Sequence, residues 1–155
     1  MDMIGVWMPL NTEYDISSLM KRVGSFHDSC VKEMHYISGA YVDKKLSMYP
    51  VNSIRQLSIL VQRQEENWPV IELQFEGVVY LTLWPQNENY TSEILDATLM
   101  IHNEHIIWSD HLINPDTLLQ SNNGEEGIVV CAASARWRVL DKRLGEGIIY
   151  ADPTG

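Results

Sequence analysis

Five histidines stand at positions 27, 35, 102, 105 and 111, and His102 and His105 are three residues apart with Asp110 and His111 just beyond. On a helix that spacing puts both imidazoles on one side, as a metal site requires. The surrounding stretch reads as a hairpin instead, where a spacing of three is expected to send the two rings to opposite faces. No metal or cofactor site is therefore expected. Nucleophilic and phosphate chemistry find no support either, because the chain has no G-x-S-x-G elbow, no glycine-rich phosphate loop and no H-E-x-x-H helix. Glu65–Glu66 and Glu125–Glu126 are acidic pairs in polar loops, where solvated charge is the ordinary state. Trp68, Trp84, Trp108 and Trp137 can line an apolar pocket, but aromatic residues on apolar strands belong more often to a core.

The most distinctive constellation is Phe26-His27-Asp28-Ser29, placed between a helical pattern and the first strong strand pattern. Phe26 is suited to plug the core, while Asp28 and Ser29 suit backbone hydrogen bonding at a bend, and His27 can add another bond. Near the other end stands Arg136-Trp137-Arg138, with Trp137 expected inward and both arginines on the opposite face. A buried aspartate needs a cationic partner, and a bidentate Asp28–arginine contact would tie the first strand to the last. These seven residues are the candidate cluster, with a structural role expected for Asp28.

The elements that must position them are mostly strands. Residues 70–84, VIELQFEGVVYLTLW, are the centre of the pattern. Ile71, Leu73 and Phe75 alternate with Glu72, Gln74 and Glu76, as in a strand with one face in a core and one in water. Past Gly77 nearly every residue is apolar, which predicts cover on both faces, with Gly77 at a bulge, bend or hairpin. Residues 54–62 are expected to form a hairpin with 70–75. Period 2 also runs through 29–37, 94–100 and 127–140, with shorter candidates at 41–49, 105–108 and 148–150 and a turn at Asn103-Glu104. Helical period is clear only near 15–24, where Ile16, Leu19, Met20 and Val23 share a face, Asp15 or Ser17 can cap and Gly24 can follow the end. A second short helix is possible at 116–120. One β-rich domain spanning 1–155 is expected, an antiparallel sandwich or a strongly curved sheet with one short N-terminal helix.

The chain carries 21 acidic against 11 basic side chains, a formal net charge of −10. That argues against nucleic-acid binding, which rests on lysine and arginine displacing counterions, and it suits a basic protein partner. Cys30 and Cys131 lack any metal or redox spacing, so two buried, reduced thiols are expected. The first residues do not form a secretory leader and no run reaches membrane-spanning length. A cytoplasmic protein is the resulting expectation.

The F-H-D-S sequence opening a strand after a short helix, followed by Phe75-Glu76-Gly77-Val78 feeding a second apolar strand, resembles small β-rich bacterial proteins. Some of these are grouped with the immunity proteins of polymorphic-toxin systems. The resemblance covers roughly residues 20–85 and extends to Trp137-Arg138. It implies a non-catalytic protein that occludes a toxin by surface contact, through variable surfaces that carry no transferable binding residue. The competing expectation is a small-molecule-binding or enzymatic β-domain whose pocket uses His27, Asp28 and the tryptophans.

Overall fold

In the structure, a computed structural model describing residues 3–117, 127–141 and 143–151, Thr12 starts the helix. Its Oγ1 accepts from the Asp15 amide at 3.1 Å, and the Asp15 carboxylate accepts from the Thr12 and Asn11 amides at 3.0 and 2.9 Å. That reciprocal capping box satisfies donors the first turn leaves open. Helix α1 (Glu13–Arg22) therefore begins before the expected Asp15, and Thr12 rather than Asp15 or Ser17 is the cap. Ile16 and Leu19 form its buried face, continued by the buried cap residue Val23, and Lys21 and Arg22 sit at the negative end of the helix dipole. A left-handed turn, Gly24–Phe26, with φ of 56°, 55° and 61°, then delivers the chain to the sheet.

The strands among the described residues are β1 (Met8–Pro9), β2 (Ser29–Ile37), β3 (Tyr41–Val42), β4 (Met48–Tyr49), β5 (Gln56–Arg63), β6 (Val70–Trp84), β7 (Thr98–His102), β8 (His105–Ser109) and β9 (Gly127–Leu140). Among the described residues, seven of them make one antiparallel sheet in the order β2-β5-β6-β9-β8-β7, with β1 also on β9. Strands β3 and β4 pair only with each other. The expected hairpin between residues 54–62 and 70–75 is the β5–β6 pair. The sheet is strongly curved rather than split into a sandwich. Its two ends come together where Ser29 bridges Ile94, the Asp28 amide donates to Ile94 O and the Ala97 amide to Ser25 O, yet the barrel does not close.

Gly77 marks the bend. It has a φ of 64° and its Cα approaches Ala133 so closely that an added Cβ would meet that methyl at 3.0 Å. The β6–β9 register slips just after it, between Val78 and Tyr80, as a bulge requires. The cover on the two halves of β6 is the reverse of the expectation. Residues 70–75 are all buried, including Glu72 and Gln74, while Val79, Leu83 and Trp84 are exposed. The polar face of the first half is roofed by other segments of chain, described below.

The inner face of the curve holds the core. Ile16 and Leu19 of α1 and Val23 just past its end share one core with Leu57, Ile59 and Val61 of β5, Ile71, Leu73 and Phe75 of β6 and Trp137 and Val139 of β9. Burial of each such side chain contributes about 1.5–3 kcal/mol. The expected strand over 94–100 shrinks to β7, which begins only at Thr98. Over the range expected to form a second helix, Pro115–Thr117 is one 3-10 turn and the remainder lies outside the described residues, as does Glu125–Glu126.

Candidate functional site

The seven candidate residues do not form one cluster. Phe26 is fully buried and meets the edge of Trp108 with ring centroids 6.0 Å apart, so it does plug the core. His27 and Asp28 are a solvent-facing pair, Nδ1 to Oδ1 3.1 Å, with side chains 54% and 49% exposed. Asp28 serves the bend through its backbone: its amide donates to Ile94 O and its carbonyl accepts from the Gln64 amide. Its φ of 59° is a conformation that aspartate tolerates better than most residues. Ser29 is buried, and its hydroxyl donates to His27 O at 3.4 Å.

The expected Asp28–arginine contact is not made, because each arginine has a partner on the neighbouring strand. Arg138 stands opposite Glu72 and Arg136 opposite Gln74 in the β6–β9 ladder. The Arg138 Nε and Nη2 atoms both donate to Glu72 Oε1 at 2.7 Å, and Arg136 Nε donates to Gln74 Oε1 at 2.8 Å. The Trp7 ring covers both guanidinium groups, at 4.2 and 4.4 Å, a cation–π cap that shields the pairs from water. Trp137 points inward as expected and lies 5.5 Å from the Trp68 ring.

The other part of the roof is the C-terminal segment. Residues 148–150 do not add an edge strand; they cross the outer face of the sheet as a strap. Gln62 donates to the carbonyls of Arg143 and Gly145 at 2.8 and 3.2 Å, and Lys32 to that of Glu146 at 3.3 Å. Glu33 accepts from the amides of Ile149 and Tyr150 at 2.6 and 2.8 Å, and the Tyr150 hydroxyl donates to Glu72 Oε2 at 2.6 Å. Desolvation raises the Glu33 carboxyl, but those two amides and Lys32 outweigh it and hold it below the usual carboxylate range. Burial and the facing Glu72 carboxylate push the Tyr150 phenol far above its ordinary value. The strap and these charged groups therefore fasten the C-terminal segment to the sheet.

One triad-like corner escaped the sequence reading. His111 Nδ1 lies 3.0 Å from Ser109 Oγ and 2.9 Å from Asp110 Oδ1, and Asp110 also accepts from the Ile128 amide. A nucleophile–base relay needs the hydroxyl on one ring nitrogen and the carboxylate on the other. Here both meet the same nitrogen, and Ser109 is fully buried. Gly127 makes the corner possible: at φ 124°, a Cβ there would sit 2.6 Å from Asp110 Oδ1 and 2.8 Å from His111 Nδ1.

His102 and His105 face each other directly across the Asn103-Glu104 turn, so they share a face of the sheet instead of opposing ones. Residues i and i+3 flanking a two-residue loop are cross-strand neighbours, and both turn residues have the positive φ that this hairpin demands. His102 Nε2 lies 3.5 Å from Asp116 and His105 Nδ1 2.9 Å from Asn103 O. Among the described residues no group of three or more metal-ligating side chains converges. Cys30 and Cys131 are both free, but half-buried rather than buried, and burial raises the Cys131 thiol.

The surface carries a different signal. Residues 38–55 leave the sheet as a lobe whose neck closes where the amides of Ile54 and Arg55 both donate to Ser38 O. Its hairpin, β3–β4, has Tyr41 and Tyr49 stacked at 4.8 Å. Val42, Leu46, Met48, Val51 and Ile54 are exposed, Leu46 by 84% and Met48 by 68%. A two-stranded hairpin standing outside the sheet does not bury its own apolar side chains. The sequence holds a trace of this, because 41–54 is rich in apolar residues yet too broken by turn residues for a core strand.

Comparison with family models, with curated proteins and with solved structures finds no match to this chain.

Proposed function

We propose that this chain is a non-catalytic binding protein that occludes the surface of a protein partner, with the 38–55 lobe as its contact. The observation that carries the reading is the exposed apolar set on that lobe, Tyr41, Val42, Leu46, Met48 and Tyr49. Contiguous exposed apolar side chains of this kind mark interaction sites, and tyrosine and methionine are enriched at interface centres. The net charge of −10 favours a basic partner, drawn in by long-range attraction while the apolar lobe makes the close contact. The resemblance to immunity proteins narrows that partner to a toxin met in the cytoplasm. No helix among the described residues is long and apolar enough to cross a membrane.

The competing pocket reading has less support, since Trp108 and Trp137 are buried in the core and the cavity of about 400 Å³ that Asp28 lines with Ser29, Cys30 and Gln62 is lined by no tryptophan and not by His27. Co-expression with a candidate toxin, sought first among the genes neighbouring this one, tests the proposal. Protection from growth arrest is expected for the natural sequence, and loss of protection for Leu46→Asp and Met48→Asp at unchanged melting temperature. Full protection by both variants would refute the lobe as the contact, and a dimer that Met48→Asp dissolves would reassign it to self-association.

A further inference from the structure

Where the lobe rejoins the sheet, Arg55 is a half-buried cation. The sequence has 21 carboxylate side chains for 11 lysines and arginines, and Lys32, Arg136 and Arg138 each meet a glutamate. Arg55 donates through Nη1 to Val78 O at 3.3 Å, and among the described residues no carboxylate pairs with it. The side chain is nevertheless fixed. The Val78 amide returns a bond to Arg55 O at 2.9 Å, so one residue of the β6 bulge grips both ends of the arginine. Its backbone sits at φ 51°, a left-handed conformation that costs energy for a non-glycine residue and persists only where surroundings enforce it. A partly buried guanidinium is thus held at a set place with donors left over.

Arg55 lines an open groove of about 550 Å³ between the neck of the lobe and the bend in β6. Tyr36, Asn52 and Tyr80 supply polar groups to it, and Val79 and Leu81 an apolar wall. We propose that this groove is a binding site for an organic carboxylate with an apolar body. The guanidinium fork matches the two oxygens of a carboxylate, the Asn52 amide can donate to the same head, and the tyrosine rings and aliphatic side chains take the rest. A group of higher negative charge, such as a phosphate, is disfavoured by a single cation set in a chain of net charge −10. The site is separate from the apolar tip of the lobe, and either can fail without the other.

Phenylacetate and its neutral isostere phenylacetamide, titrated into the protein and followed by amide NMR shifts, test the proposal. Phenylacetate is expected to move the signals of residues 36, 52, 55 and 78–81 and to bind at least about tenfold more tightly than the amide, since the charge-assisted pair is the stronger bond. Arg55→Gln should abolish that preference. Equal affinity for acid and amide, shifts confined to other residues, no binding of either, or a preference that survives Arg55→Gln would each overturn it. The acid–amide comparison on the unaltered protein decides the matter alone if Arg55→Gln does not fold.

Discussion

Replacing Glu72 by alanine should destabilise the protein far more than replacing Asp28, although the sequence pattern places Glu72 on a water-facing side and Asp28 at a buried bend. Glu72 is 4% exposed. Its loss strands Arg138, which it holds through two 2.7 Å contacts, and the Tyr150 hydroxyl at 2.6 Å. Breaking a buried pair from one side costs about 3–5 kcal/mol. The Arg138 side chain keeps 31% exposure and water can rescue part of its charge, so about 2–4 kcal/mol is the working figure, the lost tyrosine bond included. For a chain of this size each kcal/mol lowers Tm by about 2–4 °C, giving a fall of roughly 4–16 °C. Asp28 loses only a half-exposed pair with His27, worth about 0–1 kcal/mol, together with the modest cost of alanine at positive φ. Thermal and urea melts followed by tryptophan fluorescence measure both. An Asp28→Ala loss equal to or larger than that of Glu72→Ala would refute the assignment of Glu72 as the partner of Arg138. Arg138→Met should recover part of the Glu72→Ala loss, because it removes the stranded charge.

Phe26→Ala, which empties a fully buried site against Trp108, should cost about 3–5 kcal/mol in a urea melt. Gly127→Ala should lower Tm while leaving the circular dichroism spectrum β-rich, since the new methyl collides with Asp110 and His111 at a φ that alanine resists. Because the folded Glu33 carboxyl titrates below its unfolded value, its hold on the strap is complete above the ordinary carboxylate range and is lost as pH falls through the lowered value. Exchange protection of the Ile149 and Tyr150 amides, read by NMR, should therefore persist at neutral pH and fall in acid, and Glu33→Gln should weaken it at neutral pH and flatten its pH dependence. Cys30 and Cys131 should both react with a thiol reagent in the native protein without prior reduction, Cys131 more slowly because burial raises its thiol.

Local pattern was enough to reveal helix α1, the β5–β6 hairpin, the bend at Gly77, the turn at Asn103-Glu104 and the inward side of Trp137. Each of these depends on periodicity or backbone freedom within a few residues. The same information located β9 and put Arg136 and Arg138 on one face. Tertiary structure alone decided what covered that face. Glu72 and Gln74 alternate with apolar residues as water-facing side chains do, and no local signal says that Trp7 and a strap from residues 143–151 will lie over them. Register, likewise, paired Arg138 with Glu72 and left Asp28 at the surface, because a carboxylate directly opposite on the neighbouring strand is closer than one at a distant bend. The apolar lobe and the arginine at its neck had the weakest trace in the sequence. A residue's type fixes how much its burial would stabilise the chain, but only the path of the whole chain decides whether anything is left to bury it.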